Sequence, residues 1–165
     1  MSGKIHRFLA DDHARLDRLL ERAAANPKTV DPAAYAEFRA GLLRHIAMEE
    51  KILLPAAQRL RGGAPLPVAA KLRLDHGALA ALLVPTATPA IVAAIRTILK
   101  AHNSIEEGAD GLYEQCETLA GAKAEQILIQ LRDAPQVKVA PHMDAPKVIE
   151  ATRRALEKAG YPVEF

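Results

Sequence analysis

One short pattern, His-x-x-x-Glu-Glu, occurs twice in the chain and restricts the fold more than any other feature. The first copy contains His45 and Glu49, and the second contains His102 and Glu106. Residues four apart lie on one face of an α-helix, so each copy places an imidazole beside a carboxylate. Apolar residues share that face, and burying such polar groups is costly unless something pairs with them. The pattern therefore predicts two helices that direct metal ligands into a core.

The composition favours a single all-α domain without structural disulfides. The chain has 165 residues, enough for one domain with a sizeable core; 50% of them are hydrophobic, only 4% are aromatic and Trp is absent. Abundant alanine with few aromatic residues favours closely packed helices over a sheet. The one cysteine, Cys116, excludes an internal disulfide and fits a reducing compartment.

Charge and hydropathy argue against a nucleic-acid or membrane function. The formal net charge is +2, from 22 Lys and Arg against 20 Asp and Glu, and no basic cluster stands out. The first residues lack the apolar run of a signal peptide, and no stretch of about 20 apolar residues could span a bilayer. We therefore expect a cytoplasmic protein that binds neither nucleic acid nor membrane.

Helical periodicity of the apolar residues predicts four helices, over residues 4–25, 32–61, 66–84 and 89–119. The connecting loops are short, which favours antiparallel neighbours, so we expect an up-down four-helix bundle. Pro55 should kink the second helix one turn after Glu49. Gly108 and Gly111 should weaken the fourth helix, either by bending it or by letting another backbone approach closely.

Beyond residue 120 the pattern changes to a shorter helical extension. We expect helices over residues 122–132 and 146–159, with an extended or irregular segment over 136–143 between them. The predicted organisation is thus a bundle over residues 1–120 and an extension over 121–165. The extension should pack against the bundle and should not form a separate domain.

Each bundle helix carries one histidine on its apolar face, and the second and fourth helices each add a glutamate. In chain order, these candidate metal ligands are His13, His45, Glu49, His76, His102 and Glu106. Four imidazoles and two carboxylates are too many for one tetrahedral zinc and suit two six-coordinate ions that share the carboxylates. Nitrogen and oxygen ligands without thiolate favour iron or manganese over zinc or copper.

These motifs resemble the hemerythrin-like, HHE cation-binding domain family over about residues 5–119. The similarity includes His13 in Asp-Asp-His-Ala-Arg-Leu, His76 in Asp-His-Gly-Ala-Leu and both His-x-x-x-Glu-Glu units, and its most specific part runs from His45 to Pro55. The resemblance implies a four-helix bundle that holds a non-heme di-iron centre bridged by the two motif glutamates. It also implies that the histidines of the first two helices serve one iron and those of the last two serve the other.

The similarity to oxygen-carrying hemerythrins is incomplete. Those proteins have His-x-x-x-His in the third helix, whereas here the residue four positions after His76 is Ala80. Their fourth-helix motif ends in Asp after four intervening residues, whereas here Glu106 comes after three. One histidine ligand is therefore missing, and water, Glu50, Glu107 or Tyr113 could take its place. The vacancy argues against reversible oxygen transport and leaves one iron more open to exogenous ligands.

Three residues near the ligands have roles that the sequence leaves open. Glu50 and Glu107 each follow a motif glutamate, and we expect either a hydrogen bond to a ligand histidine or a solvated charge. Tyr113 lies two turns after Glu106 on the same helix face, where it either forms a hydrogen bond near the site or fills the core.

The sequence thus predicts a di-iron protein that binds or senses O2, NO or reactive oxygen species, or takes part in iron handling. Its expected cofactor is two non-heme iron ions, with manganese or zinc as substitutes, and its expected partners are O2, NO or peroxide. Two alternatives remain open. One is an enzyme that turns over O2 or peroxide, although binding without turnover is favoured. The other is a metal-stabilised interaction module whose protein partner the sequence does not identify.

Overall fold

The computed structural model describes residues 2–165, which form eight α-helices. Helices α1–α8 span Lys4–Ala23, Pro32–Met48, Leu54–Leu60, Ala69–Leu82, Pro89–Glu107, Leu112–Ala120, Ala124–Arg132 and Pro146–Ala159. A π-helical segment, Glu49–Leu53, joins α2 to α3, and a 3-10 turn, Gly121–Lys123, joins α6 to α7. Residues 2–165 contain no β-strand, which confirms the all-α prediction.

The bundle comprises α1, α2 continued by α3, α4, and α5 continued by α6. Local capping explains where two of these helices begin. Asp31 accepts a hydrogen bond from the Ala34 N–H at 2.9 Å, and Thr88 accepts one from the Ile91 N–H at 3.2 Å. A proline follows each cap at the first turn, where a missing N–H costs nothing. These caps fix where the two long ligand-bearing helices α2 and α5 begin.

The irregularity predicted at Pro55 takes the form of the π-helical segment. Pro55 has no N–H to donate to the preceding turn, and the N–H of Leu54 reaches back to the carbonyl of Glu49 instead. The disturbance therefore begins at Glu49 itself, one turn earlier than predicted, because a proline removes the hydrogen bond of the turn before it. The wider turn sets the direction of the Glu49 side chain.

The fourth predicted helix, residues 89–119, is interrupted at the two glycines where the sequence predicted a weakness. Helix α5 ends at Glu107 and α6 begins at Leu112. A Cβ on Gly111 would lie 2.6–2.7 Å from the carbonyl oxygens of Ile105, Glu106 and Gly108. Only glycine fits so close to the end of α5, and beyond this tight turn α6 continues into the second half of the bundle.

The hydrophobic core consists of two clusters, one on each side of a polar layer. The first cluster includes Leu20, Phe38, Leu79 and Ile95, and the second includes Leu9, Met48, Leu72 and Leu112. Along each of α1, α2, α4 and α5, the ligand histidine lies between residues of the two clusters. The fold therefore places the candidate ligands in the middle of the bundle.

The C-terminal extension contributes to both clusters. Ile127 and Leu131 of α7 belong to the second cluster, and Leu156 and Ala159 of α8 belong to the first. Residues 134–145 between these helices have no regular secondary structure. The division of the chain at residue 120 stays a prediction. Within the described residues, no helix is long and apolar enough to cross a membrane.

Candidate metal centre

The structure brings the six predicted ligands together in the polar layer. Each of them is at most 6% exposed. They form two groups of four donors, and within each group the donor atoms lie within 4.8 Å of one another. The first group is His13, His45, Glu49 and Glu106, and the second is Glu49, His76, His102 and Glu106. Both glutamates therefore belong to both groups.

Each shared glutamate directs one oxygen towards each group. Oε1 of Glu49 lies 3.3 Å from Nε2 of His45, and Oε2 of the same carboxylate lies 3.0 Å from Nε2 of His76. Glu106 repeats this arrangement, with its two oxygens 3.2 and 2.8 Å from Nε2 of the other two histidines. A carboxylate whose two oxygens face two different donor groups has the arrangement of a bridging ligand.

A second carboxylate holds each ligand histidine through its outer nitrogen, Nδ1. The four pairs are His13 with Glu107 at 2.5 Å, His45 with Asp12 at 2.8 Å, His76 with Glu50 at 2.6 Å and His102 with Asp75 at 3.1 Å. Such a contact fixes the ring orientation and leaves Nε2 free to face the interior. Glu50 and Glu107 thus form hydrogen bonds to ligand histidines, which is one of the two roles that the sequence left open for them.

These four pairs form a cycle around the bundle. Helix α1 supplies the carboxylate for the histidine of α2, the π-helical segment that follows α2 does so for α4, α4 for α5, and α5 for α1. Sequence reasoning missed Asp12 and Asp75. A signal was available, because an aspartate directly precedes the ligand histidine in both halves of the chain.

Tyr113 places its hydroxyl group inside the first donor group. The side chain is fully buried, and the phenol oxygen lies 2.7 Å from Oε1 of Glu49 and 3.1 Å from Oε2 of Glu106. It also lies 3.0 and 3.2 Å from Nε2 of His13 and His45. The hydroxyl is thus in contact with every donor atom of the first group.

The residues suggested to replace the missing third-helix histidine lie elsewhere. Glu50 and Glu107 contact the outer nitrogens of their histidines, and Tyr113 contacts the first group. Ala80, one turn after His76, carries no donor in its side chain. The second group thus offers two histidines and two shared carboxylates.

Without metal, the layer is densely charged. Burial by itself lowers the pKa of each ligand histidine, but the inner and outer carboxylates outweigh that effect. The pKa is raised to about 10 for His45, to about 11 for His76 and to about 9 for His102, and that of His13 is raised as well. At neutral pH the imidazoles of His45, His76 and His102 are therefore protonated, and a metal ion must displace their protons.

Unpaired buried atoms test whether the residues fit a metal. Among residues 2–165, Oε2 of Glu49, Nε2 of His76 and Oε1 of Glu106 are buried without a hydrogen bond of acceptable geometry. Each such atom typically costs about 1–3 kcal/mol. A cation coordinated by all three would satisfy them together, and imidazole with carboxylate suits iron. The donor set therefore fits a metal cation.

Residues 4–145 match the family model described as the hemerythrin HHE cation binding domain. The chain belongs to this family. The match includes all six ligands and extends beyond the 5–119 resemblance found from the motifs. Comparisons with curated proteins and with solved structures gave no match.

In this hemerythrin HHE domain, an ionic link connects the second donor group to α8. Nζ of Lys71 donates to Oδ1 of Asp75 at 2.6 Å and to the carbonyl oxygen of Ala159 at 2.7 Å. Asp75 in turn contacts Nδ1 of His102. The C-terminal helix is thus three polar contacts away from a candidate ligand.

Proposed function

We propose that the chain holds a non-heme di-iron centre that binds or senses O2, NO or reactive oxygen species, or takes part in iron handling. One observation carries the proposal: Glu49 and Glu106 each present one oxygen to each of two histidine pairs. Bridging carboxylates hold two cations close together and offset their mutual repulsion. A single ion would leave one oxygen of each glutamate without a partner.

The charge of the layer is compatible with bound cations. Burial by itself raises the pKa of Glu49 and of Glu106, but the neighbouring histidines lower both, so the two carboxylates are ionised at neutral pH. A cation that displaces imidazole protons keeps this buried negative charge neutralised. Mixed nitrogen and oxygen ligands favour iron or manganese on preference, and zinc could substitute.

Small molecules are the partners that such a centre suits best. Each donor group of His and Glu residues supplies four atoms, fewer than the six ligands that octahedral ions take, so positions remain for exogenous ligands. A cleft of about 550 Å³ reaches His13 and Glu107 and is partly lined by Leu16 and Leu20. Burial of the layer restricts access to small ligands such as O2, NO or peroxide. A cytoplasmic location is part of the same proposal, from the single cysteine.

Turnover of O2 or peroxide is the second candidate function. The second donor group supplies four atoms, so an octahedral ion there would keep two positions at which O2 or peroxide could bind and react. A spectral change on adding the gas, with no product formed, would favour binding or sensing. Steady consumption of O2 or peroxide would favour the enzyme.

The proposal is tested by the metal content of protein prepared with iron available. We expect about two irons per chain, and we expect His45→Ala and Glu49→Ala each to lose most of them. His142→Ala is the matched control, because His142 is exposed and lies outside the layer. Circular dichroism checks that each variant is folded. A folded His45→Ala or Glu49→Ala protein with its full iron content, or a wild type with no iron, would contradict the proposal.

A further inference from the structure

We infer that the phenol oxygen of Tyr113 is a ligand of the ion held by the first donor group. This inference rests on the proposed di-iron centre and deepens it, because it assigns a fifth protein donor to one ion only. The two ions then differ in how many positions remain for small molecules.

The distances around the hydroxyl match those between neighbouring ligands of one ion. With metal–ligand bonds of about 2.1 Å, adjacent ligands of an octahedral ion lie about 3.0 Å apart. The phenol oxygen of Tyr113 lies 2.7, 3.1, 3.0 and 3.2 Å from the four donor atoms of the first group. An oxygen at that separation from all four donors occupies a neighbouring coordination position of the ion they hold.

The backbone holds the ring in this place. The turn at Gly111 fits only glycine, and it starts α6 so that Tyr113 is the second residue of that helix. The neighbours Leu112 and Cys116 are both buried in the second hydrophobic cluster, so α6 is anchored. The Tyr113 ring packs with its centroid 5.8 Å from that of His6, edge to face. Because the ring is fully buried, the hydroxyl could leave the layer only if α6 or the packed side chains around it moved.

Coordination requires the phenol to lose its proton. In the metal-free form, the hydroxyl donates to Oε1 of Glu49 at 2.7 Å. When the ion binds, the O–H bond breaks, the oxygen gives an electron pair to the ion, and the proton leaves to solvent with those of the imidazoles. An anionic oxygen attracts a ferric ion more strongly than a ferrous one, since the attraction grows with charge. The ligand therefore favours the ferric state at the first group.

The second donor group has no equivalent ligand among residues 2–165. Three of its donor atoms have no hydrogen bond, and Ala80, one turn after His76, carries no donor in its side chain. The ion at His76 and His102 thus keeps two open positions, and the ion beside Tyr113 keeps one. We expect exogenous ligands to bind at the second group.

The experiment compares the visible spectra of iron-loaded, oxidised wild type, Tyr113→Phe and Tyr35→Phe. A phenolate bound to ferric iron gives a charge-transfer band in the visible range, which imidazole and carboxylate ligands do not give. Tyr35→Phe is the matched control, because Tyr35 is equally buried but lies in the first hydrophobic cluster, away from the layer. Absorbance is expressed per bound iron, so partial loading of a variant does not affect the comparison.

We expect the band in the wild type and in Tyr35→Phe, and its loss in Tyr113→Phe. About two irons per chain without the band, or with a band that persists in Tyr113→Phe, would overturn the inference and leave the di-iron proposal intact. A wild type that binds no iron would overturn both. If Tyr113→Phe does not fold, resonance Raman spectra of the wild type decide, since phenolate vibrations must be enhanced at the band.

Discussion

Replacement of Asp75 by asparagine tests whether the outer carboxylates orient the metal ligands. Asp75 is fully buried and contacts Nδ1 of His102 at 3.1 Å and Nζ of Lys71 at 2.6 Å. Asparagine has nearly the same shape and keeps an oxygen that accepts hydrogen bonds, but it has no charge. The effect of the substitution therefore reports the charge of the carboxylate and not its volume.

The expected magnitude differs between the two states of the centre. With metal bound, loss of such a partner lowers metal affinity by about 10–100-fold, or about 1.4–2.7 kcal/mol. Without metal, burial lowers the pKa of His102, but Asp75 and Glu106 raise it from 6.5 to about 9. At about 1.4 kcal/mol per pKa unit the net shift is worth roughly 3 kcal/mol, and Asp75 accounts for only part of it because Glu106 and Glu49 also raise the pKa. We therefore expect a loss of about 1–2 kcal/mol and a melting temperature lower by about 2–8 °C at neutral pH.

Metal titration calorimetry and thermal unfolding followed by circular dichroism measure the two effects. Asp12→Asn serves as the equivalent change in the other half, because Asp12 contacts His45 in the same way. Asp11→Asn serves as the control, because its side chain is exposed. A metal affinity and melting temperature for Asp75→Asn equal to those of Asp11→Asn would refute the reasoning.

Two further predictions concern pH and the break between α5 and α6. Without metal, the melting temperature should fall as pH rises to about 10, because the histidine pairs stabilise the fold fully below 6.5 and are lost through folded-state pKa values of about 9 to 11. A melting temperature that is level or rising over this range would contradict that prediction. Gly111→Ala should destabilise the protein by about 1–3 kcal/mol, because its Cβ would meet three carbonyl oxygens. Gly77→Ala, in an open position of α4, should be neutral or stabilising, and equal unfolding free energies for the two variants would exclude the proposed role of Gly111.

Sequence reasoning succeeded where helix geometry alone determines the outcome. Residues four apart on a helix must be neighbours, so the pairing of His45 with Glu49 and of His102 with Glu106 followed from spacing. The apolar periodicity likewise located the helices, because each of them must bury one stripe. Both inferences need only the residues of a single helix.

Contacts between helices could not be derived in this way. Asp12 lies about 100° around α1 from His13, and whether it meets solvent or His45 depends on how α2 packs beside it. The position of Tyr113 depends on the path of the backbone through Gly108 and Gly111. Glycines there indicated weakness of the helix, but not that the chain would turn and direct the phenol into the centre.

The separation of the core into two hydrophobic clusters has a consequence for the life of the protein. The layer between them consists of ionisable groups. The stability of the fold therefore depends on whether protons or metal ions balance the charge of that layer. Metal that binds only the folded chain adds its binding free energy to stability. The metal-free chain would then be less stable, and we expect its half-life under proteolysis to shorten when a chelator removes the metal. Metal occupancy would thus set how long the folded chain survives.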